Sequence, residues 1–248
     1  MIRDPKGPPQ WVAGVDGCPG GWIAVFWDVT GQSSPLAQLF PAFADLLADP
    51  HAPQRMAVDM PIGLPDRIGP GGRGPEAAVR PLLGPRQSSV FSVPARAAIY
   101  AQDYGEACRI AQETSDPPRK VAKQCFNLFP KIREIDQLLD EAERRRVFEV
   151  HPEVAFWRLN GHQAMSLPKK VKSRPNPEGL TERRDLLIRM GFEPDFFSQK
   201  PAGRIGDDDL LDAAVNALIA ERLLTGLAEP FPNPPDYDAE GNVIAIWA

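Results

Sequence analysis

WVAGVDGCPGGWIAVFW, residues 11–27, sets the architecture of this chain. Trp11 to Val15 is a short apolar run that ends in Asp16. The following Asp16-Gly17-Cys18-Pro19-Gly20-Gly21 is turn chemistry, in which glycine supplies positive φ and proline presets the bend. Trp22 to Trp27 is rich in β-branched and aromatic residues, so the two runs read as a hairpin with an acid at the end of its first arm. Working outward, Leu36–Phe40 reads as a third strand, and PAFADLLAD (41–49) as a short helix opened by proline. The run from Arg55 to Met60 repeats the first pattern. It is apolar, carries Asp59 near its end, and is broken by Pro61, Gly63 and Pro65.

The middle of the chain changes character. Asp66 to about Arg86 is dense in Gly, Pro and Arg and reads as a loop, while 95–142 is mostly helical with breaks at Pro117-Pro118 and Pro130. Arg146 to Val150 reads as a returning strand, and His151-Pro152-Glu153 turns into a short helix. Residues 168–177 form a basic, proline-bounded loop. Helices are expected over 177–190, closed by Gly191, and over 207–225, where acids at the start and Arg222 near the end suit the helix dipole. A last short strand is expected over 242–247. This order predicts an α/β fold in one domain, 1–248: a mixed sheet with an antiparallel hairpin first and crossover strands later. Residues 66–145 are too many for a plain crossover and are expected to form a helical cap inserted between the fourth and fifth strands.

Composition excludes several classes. With 43% hydrophobic and 25% charged residues, the 248-residue chain is ordinary globular material and not a disordered one. No apolar run approaches the roughly 18 residues that cross a bilayer, and the start MIRDPKGPPQ lacks a secretory apolar core. Three cysteines without CxxC spacing argue against a disulfide framework or a cysteine zinc site, and fit a cytoplasmic location. The 28 prolines are about twice the usual share and mark many chain reversals. A net charge of −5 rules out a general adsorber of nucleic acid, so any such binding needs a local patch.

Four places put a carboxylate at the end of an apolar element: Asp16, Asp59, Glu149, and the group Asp208, Asp209 and Asp212 opening the long helix. If the first and fourth strands are neighbours, their terminal acids lie side by side, and the helix adds another carboxylate from one face. Each has a plainer explanation. An Asp after a strand is ordinarily a turn former, Asp208 or Asp209 a helix cap, and Glu149 a partner for an arginine such as Arg146. Asp212, one turn inside the helix, is harder to explain that way. Clustered, the acids are costly, because two unit charges at about 4 Å repel by about 4 kcal/mol at an effective dielectric of 20. Either some are protonated or a hard cation sits among them. Mg²⁺ or Mn²⁺ suits oxygen ligands, and two such ions about 4 Å apart support phosphodiester hydrolysis.

The same residues carry a family resemblance. Gly14-Val15-Asp16-Gly17-Cys18 with Gly21-Trp22, Asp59-Met60-Pro61-Ile62-Gly63-Leu64-Pro65, and Leu83-Gly84-Pro85-Arg86-Gln87-Ser88-Ser89-Val90-Phe91 resemble the domain of unknown function four-twenty-nine family. Glu149-Val150-His151-Pro152-Glu153 and Asp208-Asp209-Leu210-Leu211-Asp212-Ala213 complete the set. That family is described as predicted RNase H-like nucleases. The resemblance implies an RNase H-like sheet with Asp16, Asp59, Asp209 and Asp212 as metal ligands, and Glu149 as an added ligand or base. It implies hydrolysis of DNA or RNA. A homodimer is the candidate assembly. Arg86, Arg96, Lys169, Lys170 and Lys172 are the expected contacts to the substrate backbone; solvated charge is the plainer account of each. His151 is a turn former or a proton shuttle. Two rival functions remain: an actin-like phosphotransferase, which needs a second glycine phosphate loop and two similar sheets, and a module that binds nucleic acid or protein without turnover.

Overall fold

The computed structural model describes residues 7–172 and 174–248. The first six residues of MIRDPKGPPQ, on which the expectation about a secretory core partly falls, and Ser173 of the basic loop lie outside the described residues. Three strands, β1 (Trp11–Cys18), β2 (Gly21–Asp28) and β3 (Leu36–Phe40), run as an antiparallel meander, as their alternation and the Cys18-to-Gly21 turn require. A short helix, α1 (Phe43–Leu47), leads into β4 (Met56–Asp59), which lies parallel to β1 on its free side, and β5 (Val147–Glu149) adds parallel to β4. The result is a five-stranded mixed sheet of order β3-β2-β1-β4-β5.

Strand alternation divides the core into two faces. Ala13, Val15, Met56 and Val58 point to one side; Val12 and Ala57 point to the other. The first face is covered by the segment between β4 and β5, which carries α2 (Gly74–Leu83), α3 (Arg96–Ile99), α4 (Tyr104–Glu113), α5 (Lys123–Phe126) and α6 (Phe129–Leu138). Of these, α2 packs on the C-terminal strands, while the others reach the sheet. Ile99, Phe129 and Ile132 share one apolar cluster with Val15, Trp22 and Val58.

One expectation for this segment needs correction. The loop expected over 66–86 contains α2, which starts because Pro75 sits in the first turn, where no N–H partner is needed, and the Glu76 carboxylate accepts from the Arg73 N–H at 2.7 Å. The break expected at Pro130 falls between α5, which ends at Phe126, and α6, which begins at Phe129 and takes Pro130 into its first turn for the same reason.

The second face is covered by α7 (Pro152–Leu159), α8 (Pro177–Arg189) and α9 (Asp207–Leu224). Between α7 and α8 lies a small antiparallel pair, β6 (Lys170–Val171) and β7 (Arg174–Pro175). A C-terminal pair, β8 (Pro230–Tyr237) and β9 (Val243–Trp247), packs against β5 and α2. The proline content of β8 hides it from sequence reading, since proline argues against a strand. Among the described residues no helix is long and apolar enough to cross a membrane.

Helix α9 packs on β1 with backbone close to backbone. A Cβ on Gly14 would lie 2.0 Å from the Ala217 nitrogen and 2.1 Å from the Ala213 oxygen, so only glycine lets helix backbone meet strand backbone here. One residue along, Asn216 Nδ2 donates to the Val15 carbonyl at 3.1 Å and ties the two elements in register.

Candidate metal centre

That contact fixes where the acids fall. Gly14 and Asp16 are two residues apart on β1 and share the face that meets α9, and Asp59 pairs with Asp16 across the parallel β1–β4 ladder. One turn before Asn216, α9 presents Asp212. One carboxylate oxygen from each of Asp16, Asp59 and Asp212 lies within 4.8 Å of the other two. The three face a cavity of about 490 Å³, also lined by Arg86, Glu149, His151, Glu153, Lys169 and Asp209.

The electrostatics are those of acids held together without enough positive charge. Burial, then Asp59 and Asp212, hold Asp16 well above the usual carboxylate range, against Lys169. Burial carries Asp59 up to about 8, opposed by the Lys169 ammonium and reinforced by Asp212. Burial raises Asp212 to about 6, again against Lys169. Asp212 Oδ2 accepts from Lys169 Nζ, but its Oδ1 is buried with no hydrogen-bond partner. An orphaned buried carboxylate oxygen beside two more carboxylates is a donor set that fits a hard cation.

Four expected site residues are placed differently. Asp209 lines the cavity but spends its Oδ2 on the Gly206 N–H at 2.8 Å, capping α9, and is not part of the triad. Glu149 pairs with Val58, not Asp59, so alternation turns it to the opposite face. There Arg73 grips it, Nη2 to Oε1 at 2.6 Å and Nη1 to Oε2 at 3.1 Å, and Ile62 N–H donates at 2.7 Å. Burial pushes Glu149 up to about 7 while Arg73 pulls it down. Arg96 lies away from the cavity lining, bound to Asp136 at 2.5 Å and Asp238 at 2.9 Å. Lys172 is exposed and outside the lining.

Lys169 and Lys170 reach the cavity but turn to acids rather than outward, Lys169 to Asp212 and Lys170 to Asp208 at 2.5 Å. Arg86 lines the cavity with its Nε buried and unpartnered. His151 is also there, kept neutral because burial lowers it to about 4; its Nε2 lies 3.4 Å from the Ser89 carbonyl and its Nδ1 has no partner. Sequence reading missed Arg73, Glu76 and Glu153. The first two were signalled by Arg73-Gly74-Pro75-Glu76, a helix start with an acid three residues on. Glu153, held by the buried Arg183 at 2.5 Å, gave no such signal.

Carboxylates gathered at the ends of two parallel strands, met by one from a core helix, define an α/β protein with a site able to hold a metal ion. Residues 14–237 match the family model described as "Protein of unknown function (DUF429)", and the chain belongs to that family. No curated protein and no solved structure matches it.

Proposed function

We propose that this chain is a divalent-metal-dependent hydrolase of nucleic-acid phosphodiester bonds, built on an RNase H-like sheet. The observation that carries the reading is the register pairing of Asp16 with Asp59, completed by Asp212 with its unpartnered oxygen. The strand order, an antiparallel meander extended by two parallel strands, supports the RNase H-like assignment. Among the described residues the remaining sheets have two strands each and do not duplicate the main one, which favours a hydrolase over an actin-like phosphotransferase. Three free, buried cysteines agree with a reducing, cytoplasmic setting.

Asp16, Asp59 and Asp212 would hold Mg²⁺ or Mn²⁺, since all three offer hard oxygen donors. When bound, the ion supplies Lewis-acid stabilisation of the phosphodiester. The chain's own groups do the rest. Arg86, with a donor to spare, grips a phosphate oxygen at the cavity wall. Neutral His151 offers Nδ1 as an acceptor to a water or hydroxyl hydrogen when Nε2 carries the proton. Arg86, Lys169 and Lys170 bring positive charge to the wall of a cavity rich in carboxylates, and a bound metal ion would add more where a phosphate backbone approaches.

The test is cleavage of labelled DNA, RNA and hybrid duplexes in Mg²⁺ or Mn²⁺ by wild type and Asp16→Asn. Wild type should cleave at least one substrate, and the variant should be slower by on the order of a hundredfold or more, because a ligand charge is lost at constant volume. Equal rates for the two proteins would sink the reading.

A further inference from the structure

The acidic triad is assembled with one cation already built in. Lys169 Nζ donates to Asp212 Oδ2, and its charge also acts on Asp16 and Asp59. This is not a loose surface lysine. Its carbonyl accepts from the Asn176 N–H at 2.9 Å, and the preceding Pro168 carbonyl accepts from Asn176 Nδ2 at 2.9 Å, so the backbone is clamped to the start of α8. Gly179 keeps the clamp closed, since a Cβ there would lie 2.1 Å from the Pro168 oxygen. Lys170 is turned to a different acid, Asp208, so that among the described residues Lys169 is the cation bonded to a triad carboxylate.

Charge counting then limits what else the site takes. Within the triad, three ionised carboxylates and one ammonium leave two negative charges, which one divalent ion neutralises; Asp209 nearby adds one more negative charge, still short of what a second divalent ion would bring. A second divalent ion beside Lys169 would leave a surplus of positive charge in a buried place, where an uncompensated charge is most costly. The oxygens agree, because Lys169 takes Asp212 Oδ2 and leaves Oδ1 as the buried atom still without a partner.

We infer that Lys169 stands in for a second metal ion, so that the triad of Asp16, Asp59 and Asp212 binds one divalent cation per chain. The inference rests on the metal-site reading above and adds its stoichiometry and the role of the lysine. Lys169 is a positioning residue in this scheme: it neutralises and orients Asp212.

Equilibrium dialysis against Mn²⁺ tests it in the full-length protein, with wild type and Lys169→Met compared at pH 8. Wild type should saturate at one ion per chain. The variant, with the ammonium gone, should either take a second ion or bind the first at least about tenfold more tightly, because a like charge has been removed from the ion's neighbourhood. Two ions on wild type overturn the inference while leaving the metal site intact, and this count needs no variant to fold. A folded Lys169→Met with wild-type count and equal or weaker affinity overturns it as well. No ion on wild type removes both the inference and the metal-site reading.

Discussion

Asp59 is the residue whose protonation should be visible in the stability of the whole protein. Burial holds it at about 8 against an ordinary value of 3.8, with Asp212 adding to the rise and Lys169 opposing it. Between those values the folded state keeps a proton that the unfolded chain has released, so stability falls as pH rises through the window. His151 works in the opposite sense below about 6.5, because burial keeps its imidazole neutral in the fold. The informative quantity is therefore a difference between two proteins. In chelator, Asp59→Asn should lose less thermal stability than wild type between about pH 5 and about pH 8; parallel melting curves would show that Asp59 is not held protonated. Arg73 offers a second test. It is buried between Glu76 at 2.7 Å and Glu149 at 2.6 Å, so Arg73→Met leaves two buried carboxylates without their counter-charge. Urea unfolding should show a loss of about 3–5 kcal/mol, smaller in the double variant with Glu149→Gln.

At the level of elements, the decisive contact is a helix lying on a strand with no side chain between them. Gly14→Ala would push a methyl group into the backbone of α9, so β1 and α9 must separate and Asp212 must withdraw from Asp16 and Asp59. A loss of about 3 kcal/mol in urea unfolding is expected, in the upper range for overpacking, together with weaker Mn²⁺ binding; an unchanged midpoint would mean that the helix yields freely. The elements differ in how plainly they were written. The first five strands, α8 and α9 were legible because periodicity and end signals agree there, and so were Asp16, Asp59 and Asp212, each an acid at the end of an apolar run or inside a buried helix. Glu149 carried the same local pattern and still points to the other face, because its side is set by pairing with Val58 and register is a property of two strands, not one. Lys169 was legible as charge but not as a partner of the triad, since the clamp on its backbone joins residues that no periodicity relates. The helix α2 was obscured by the glycines and prolines around it, although Pro75 and Glu76 mark its start.

Across the whole molecule, one bound ion would pin β1, β4 and α9 to each other, and those three elements join the hairpin, the parallel half of the sheet and the second core face. Divalent cation should therefore stabilise the entire fold: at about one hundred times its dissociation constant the gain is about 2.7 kcal/mol. Thermal melting with and without Mn²⁺ at pH 8 checks this, and Asp212→Asn should abolish the shift. An identical shift in that variant would place the ion elsewhere. A last consequence belongs to β8, where four of eight residues are proline and cannot donate a backbone hydrogen bond. Its unpaired margin offers too few N–H groups to template a visiting strand, so the molecule is protected on that side from zipping into fibrils or continuous sheets.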